Sequence, residues 1–214
     1  MNKKERYKLI LSILRENMGH VQSELNFASP FQLLVAVMLS AQCTDKRVNM
    51  VTPELFERYP TAKELASAEF DDVFDLISSV TYPRSKAEHL IAAAQKIEKD
   101  FAGNVPSGTV ELMSLPGVGR KTANVVGAII FEKPVIAVDT HVFRVARRTG
   151  LSNGKNVEAV EKDLTDHIPP ELRPDAHHYL LLHGRYVCTA RSPHCTECCI
   201  RDYCEQHCSA ATEC

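Results

Sequence analysis

Apolar residues recur at helical intervals along almost the whole chain. Tyr7, Ile10, Leu11 and Leu14 fall on one face of a first helix. Ser29-Pro30 sets a capping hydroxyl ahead of a proline at the first helical position. The segment it opens, Phe31 to Ser40, is apolar on most sides, which predicts a buried helix. Thr61 with Glu64, and Ser85 with Glu88, have the spacing of capping boxes, each ahead of apolar residues at helical intervals. Pro116-Gly117-Val118-Gly119 breaks two helical patterns, and Thr122 to Phe131 reads as another buried helix. Val135-Ile136-Ala137-Val138 has the composition of a short strand, but no second run of that kind exists to pair with it, and two-stranded sheets are marginal. The pattern predicts an all-α protein, with no repeat of fixed period and no Gly/Ser linker.

A chain of 214 residues accommodates one large domain or two small ones and buries enough surface to fold without staples. Its longest apolar stretch, Val125 to Phe131, is far short of the ~20 residues a membrane-spanning helix needs. The start, Met1-Asn2-Lys3-Lys4-Glu5-Arg6, leads into an amphipathic segment with no apolar signal region, so a cytosolic protein is expected. The 25 basic and 27 acidic residues nearly balance, so bulk charge does not mark a nucleic-acid partner. Local charge is different. Between Ser107 and Gly150, Arg120, Lys121, Lys133, Arg144, Arg147 and Arg148 outnumber Glu111, Glu132 and Asp139, which concentrates positive charge mid-chain.

The positive segment contains the hairpin. Leu112 to Ala123 reads as helix, tight turn, helix. Two glycines two apart let the backbone turn sharply and approach a ligand with no Cβ in the way. The following helix offers its first-turn N–H groups to an anion such as a phosphate. A bare Pro-Gly-x-Gly also suits an ordinary corner between helices; Arg120 and Lys121 directly after it point toward DNA. Lys121 in that first turn faces the positive end of the helix dipole and a neighbouring cation, which suits an amine acting as a nucleophile; phosphate contact is the plainer role. Asp139 precedes Thr140-His141-Val142 as a helix N-cap.

Seven of the eight cysteines lie between Cys188 and Cys214. Cysteines gathered into one short stretch of a cytosolic chain indicate a metal or cluster rather than a disulfide framework. Cys188, Cys195, Cys198 and Cys204 are spaced C-x6-C-x2-C-x5-C, which holds either a tetrahedral zinc or a cubane iron–sulfur cluster.

The run LPGVGRKTANVV from Leu115 to Val126, followed by VDTHVFRV from Val138 to Val145, resembles the endonuclease III family of helix-hairpin-helix DNA glycosylases. The likeness extends to Glu24-Leu25-Asn26-Phe27, Leu39 to Asp45, Ser85-Lys86-Ala87-Glu88 and His183-Gly184-Arg185, and runs to about Cys204. It implies two helical lobes flanking a DNA cleft: a six-helix, barrel-like lobe at 23–134 that ends with the hairpin, and a discontinuous cluster lobe at 1–22 and 135–214. Lys121 and Asp139 would face each other across the cleft. By the same resemblance Lys121 attacks the sugar and Asp139 assists, so that oxidised pyrimidines are removed from duplex DNA and abasic sites are cleaved by β-elimination.

The resemblance selects a [4Fe–4S] cluster on Cys188, Cys195, Cys198 and Cys204. Cys208 could replace Cys188 in an alternative set, while Cys199 and Cys214 are bystanders and Cys43 a buried small residue. DNA contacts are implied at Gly117, Gly119, Arg120, Arg144 and, in the loop between the first two ligands, Arg191. Gln42 would enter the space left by the flipped base. Tyr82, counted back from Ser85-Lys86, takes the place of an aliphatic wedge. The mismatch-adenine branch shares this fold but lacks the lysine, whereas this chain has Lys121. The enzyme would act as a monomer, associated with the nucleoid. Two other classes share the motifs: a non-catalytic or redox iron–sulfur DNA-binding protein, and a related glycosylase for pyrimidine dimers or thymine mismatches.

Overall fold

A computed structural model describes residues 1–19 and 23–207. Among the described residues every regular element is helical, as the hydrophobic periodicity predicts. The helices are α1 (Lys3–Met18), α2 (Pro30–Leu39), α3 (Asp45–Arg58), α4 (Ala62–Ala66), α5 (Phe70–Leu76), α6 (Pro83–Phe101), α7 (Thr109–Met113), α8 (Arg120–Phe131), α9 (Thr140–Thr149), α10 (Val157–His167) and α11 (Arg173–Tyr186). Short 3-10 turns lie at Cys195–Glu197 and Arg201–Tyr203. Val135 to Val138 is irregular chain; Ile136 and Val138 are buried in a helical core, the use open to an apolar run without a second strand.

The chain divides into two compact units, Ser23–Phe131 and Met1–Gln22 with Glu132–Cys214. The boundary at Phe131 is the end of α8, slightly ahead of the 134 expected from sequence.

The unit 23–131 contains α2 to α8, seven helices where six were expected. Its centre is α2, which is buried on all sides from Leu33 to Leu39 and packs on α3, α6 and α8. Ser29 caps it by accepting from the Gln32 N–H at 3.2 Å. The Thr61–Glu64 capping box is reciprocal. The Ser85–Glu88 pair is not a cap. α6 starts at Pro83, and Tyr82 occupies the cap position in a left-handed conformation without a side-chain hydrogen bond. Proline's fixed φ defines this helix start instead of a hydroxyl. α8 is buried at Ala123, Asn124, Val126 and Gly127, and its first two residues, Arg120 and Lys121, are exposed.

In the other unit α11 packs on α1 and α9. Tyr7, Ile10 and Leu14 of α1 are buried as the sequence pattern predicts, and Leu11 packs at the edge. Asn2 and Glu5 form a capping box that the sequence reading passed over. The Tyr7 hydroxyl donates to Leu151 O at 2.8 Å, which satisfies the one polar atom of a ring otherwise inside the core.

Candidate functional site

The hairpin is held by its own backbone. Val118 N–H bonds Leu115 O at 3.1 Å and Ala123 N–H bonds Gly119 O at 3.0 Å. Leu115 and Val118 are buried and anchor the turn in the core. The two glycines serve different ends. Gly117 has φ +77°, and a Cβ there would stand 2.7 Å from His89 Cβ, so the fold itself requires glycine. At Gly119 an added Cβ would meet nothing within 4 Å. The turn leaves its approach side bare at that position, next to the exposed Arg120 and Lys121. Lys121 lies in the first turn of α8, as expected from sequence.

Residues far apart in sequence meet beside this turn. A cavity of about 270 Å³ is lined by Gln42, Tyr82, Lys86, His89 and Gly117, among others. It brings together three of the expected DNA contacts: Gln42, Tyr82 and Gly117. Helix α2 stops at Leu39 with Ser40 as its cap, and Gln42 lies beyond it with φ 53°. Tyr82, with φ 55°, is 62% exposed, unusual for an aromatic side chain in a folded domain. Cys43 is half-buried against the core rather than fully buried.

Asp139 caps α9 as predicted: its Oδ1 accepts from His141 N–H at 2.9 Å and Val142 N–H at 2.8 Å. The carboxylate therefore has a fixed position at a helix N-terminus. The Arg144 guanidinium donates to Cys188 O at 2.9 Å, Gly184 O at 2.7 Å and Thr140 O at 3.3 Å, and approaches His141 Nδ1 at 3.1 Å. These carbonyls make the half-buried Arg144 a strut between α9, α11 and the cysteine loop.

Cys188, Cys195, Cys198 and Cys204 all line one cavity of about 160 Å³. Its frame comes from α9 and α11. The N–H groups of Val187 and Cys188 both bond His183 O, at 2.9 and 2.7 Å. Arg148 donates to Thr189 O at 2.7 Å and Ala190 O at 3.0 Å, with Cys188 Sγ at 3.5 Å; Cys204 Sγ lies 3.3 Å from Arg148 O. The sequence reading missed Arg148 as a loop clamp, because its partners are backbone carbonyls that no motif marks. Burial pushes the Cys198 thiol up to about 11 and the Cys204 thiol in the same direction, and adjacent thiols add to both shifts. His183 Nε2 stands 3.6 Å from Cys198 Sγ, and burial lowers this imidazole to about 4, which keeps it neutral. Four thiols around one cavity, with arginine donors at its edge, fit a thiolate-ligated cluster whose negative charge needs such donors. Cys199 is exposed and does not line the cavity. Cys208 and Cys214 lie outside the described residues. Arg191 is exposed on the loop. His177 is buried, with Nδ1 2.8 Å from Ala137 O.

Residues 35–170 match the HhH-GPD superfamily of base excision DNA repair proteins. Residues 188–204 match the iron–sulfur binding domain of endonuclease III, and the match begins on Cys188 and ends on Cys204. Endonuclease III of Escherichia coli (strain K12) is 48% identical over 205 residues, 96% of this chain and 97% of the relative. The chain belongs to the endonuclease III family. Endonuclease III of Rickettsia felis is 46% identical over 198 residues, covering 92% of this chain and 93% of the relative. The structure of a trapped endonuclease III–DNA covalent intermediate aligns with a TM-score of 0.93 at 39% identity, over 99% of this chain and 100% of that one. As a family member the chain is a DNA-binding base-excision repair enzyme, a DNA glycosylase and abasic-site lyase with a [4Fe–4S] cluster. Among the described residues no helix is long and apolar enough to cross a membrane.

Proposed function

We propose that this enzyme removes oxidised pyrimidines such as thymine glycol from duplex DNA and cleaves the abasic site left behind, with Lys121 as nucleophile and Asp139 as its electrostatic and acid–base partner. It would act as a monomer on nucleoid DNA in the cytoplasm. The observation that carries this reading is the placement of Lys121: exposed, in the first turn of α8, directly after a hairpin with open space over Gly119. A phosphate strand can approach that bare backbone and the first-turn N–H groups of the helix, which brings the amine to the sugar. The relative trapped as a covalent intermediate with DNA, nearly superimposable on this chain, supports a covalent step.

The chemistry follows from those two groups. The damaged base leaves C1′ as positive charge builds there, and a carboxylate held by two backbone donors stabilises that charge. The Lys121 amine bonds to C1′ and loses a proton; the C1′–O4′ bond then breaks, O4′ takes up a proton as the sugar ring opens, and C1′ and the lysine nitrogen are left joined as a Schiff base. The Schiff base acidifies the C2′ proton; its removal expels the 3′ phosphate, and hydrolysis of the imine returns the amine. The base must leave the stack first. Gln42 and Tyr82 on one cavity are suited to fill the gap, the amide by hydrogen bonding to the orphaned base and the ring by stacking. Cys188, Cys195, Cys198 and Cys204 would hold the cluster. When bound it cross-links the loop as a closed four-thiolate site, and the loop then presents Arg191 to the phosphates.

Borohydride reduction during reaction with an abasic duplex tests the lysine. The wild-type chain should be trapped covalently, and Lys121→Gln should abolish trapping while DNA binding persists. Trapping in that variant would move the nucleophile elsewhere, and none in the wild type would favour a protein that only binds DNA. Asp139→Asn should slow base release by ~10²–10³-fold, as loss of one transition-state electrostatic partner does; unchanged excision would reduce Asp139 to a helix cap. A panel of lesion duplexes settles the substrate class: faster excision at pyrimidine dimers or thymine mismatches than at thymine glycol would overturn it.

A further inference from the structure

Gln42 and Tyr82 both have left-handed backbone, at φ 53° and 55°, and both line the same cavity. Such conformations are unfavourable for side chains other than glycine and persist where surrounding structure holds them. The surrounding structure is Lys86. Its side chain, in a residue 8% exposed, crosses from α6 to the end of α2, where Nζ donates to Leu39 O and Ala41 O, each at 2.7 Å. Leu39 is the last residue of α2, where backbone carbonyls lack helical donors and the dipole favours a cation. Ala41 directly precedes Gln42. The Lys86 backbone N–H bonds Tyr82 O at 3.1 Å and closes the first turn of α6 on that residue. From the other side Thr81, next to Tyr82, donates its hydroxyl to Gln42 O at 2.8 Å.

The Lys86 side chain therefore holds the carbonyl before Gln42 from the first turn of α6, the turn whose backbone closes on Tyr82, and Thr81 ties the segment before Tyr82 to Gln42 itself. Core packing alone does not explain a lysine here. Burial disfavours an ammonium and draws its pKa down, and an apolar side chain would fill the volume without that penalty.

We propose that Lys86, with Thr81, is a positioning clamp for base extrusion: it sets the Gln42 loop and the Tyr82 turn at a fixed spacing before DNA arrives, so that both side chains enter the gap left by the flipped base without further ordering. The inference rests on the reading that Gln42 and Tyr82 enter the duplex. Lys86 itself is a positioning residue; preorganising the groups that fill the gap lowers the ordering entropy of the flipped complex.

A double-mutant cycle on single-turnover excision of thymine glycol tests it, with 2-aminopurine opposite the lesion reporting local unstacking. Lys86→Met should slow excision by about 10- to 100-fold, the scale of a misplacement near 1 Å. In a Gln42→Ala background the same substitution should cost less than about threefold, because the side chain it positions is gone. The 2-aminopurine signal should fall in parallel with excision. Equal losses in the two backgrounds, or an unchanged rate in Lys86→Met, would overturn the clamp. An unchanged rate in Gln42→Ala alone would instead overturn the reading on which the clamp rests. If circular dichroism shows Lys86→Met unfolded, Thr81→Val, at an exposed position, replaces it in the cycle; a smaller coupling to Gln42 is expected, and additivity overturns the clamp.

Discussion

The hairpin before α8 and the loop from Cys188 to Cys204 carry the two chemically distinctive parts of this enzyme, and they keep their shape by different means. The hairpin is closed by its own N–H groups and anchored by Leu115 and Val118 in the core. The cysteine loop has only two short 3-10 turns, with Ile200 as its buried apolar anchor. It relies on Arg144 and Arg148 of α9 for donors and on four thiols that surround a cavity. A turn between two helices is specified locally; a loop with little apolar burial needs partners from elsewhere and a bound group that cross-links it.

The contrast predicts unequal responses to substitution. The largest concerns the thiols. Cys198→Ser in the full chain should lose iron and sulfide and make residues 188–204 sensitive to protease, while 23–131 stays resistant, because binding energy of a structural metal site is folding energy for its loop. Mass spectrometry of the fragments and an iron assay read this out, and cleavage beginning in the hairpin would contradict it. Cys208→Ser should leave the iron content unchanged.

A smaller effect separates the two glycines. Gly117→Ala places a Cβ 2.7 Å from His89 Cβ at φ +77°, and should destabilise the fold by ~1–3 kcal/mol in denaturant melts. Gly119→Ala meets no protein atom within 4 Å and should change stability by less than ~1 kcal/mol, yet weaken DNA binding. Equal destabilisation by both would show that Gly119 serves the turn rather than the ligand.

The smallest effect lies in the unit that carries the cysteine loop. The hydroxyl of Ser152, donating to Asp163 Oδ2 at 2.6 Å, holds that carboxyl below the ordinary aspartate range, with Lys3 assisting. A carboxyl with a depressed native pKa contributes stability above its unfolded pKa and loses it as pH falls through the native value. Ser152→Ala should therefore lower Tm at pH 6 and flatten its acid-side decline. Thermal melts from pH 6 to pH 2 check this, and a parallel offset at every pH would break the link.

Much of the fold was legible because its signals are local. Ser29 and Asp139 cap helices where the sequence placed them, Thr61 and Glu64 form their box, and Tyr7, Ile10 and Leu14 are buried. A misreading arose where a local signal met a competing one. Ser85 has a capping hydroxyl, but Pro83 two residues earlier already starts the helix. Gln42 carries no local signal for its backbone: it lies beyond α2 in a left-handed conformation, beside carbonyls that Lys86 and Thr81 bond from a distant segment. Arg144 lies in a basic stretch that marks only its charge, and the structure adds that backbone carbonyls 40 and more residues away accept from it.

By itself the sequence determined the helical class, the hairpin and the thiol spacing, and it singled out Lys121 and Asp139 for the chemistry we propose. These depend on residue type and short-range periodicity, which a chain displays before it folds. Only the tertiary structure decided that Gly117 is needed by the fold while Gly119 faces open space, that Gln42 and Tyr82 share a cavity, and that Lys86, Arg144 and Arg148 act inside the scaffold. Each of these turns on a hydrogen bond or a close approach between elements far apart in the chain. A side chain that donates to a backbone carbonyl leaves no mark in the sequence of its partner, because every residue has a carbonyl.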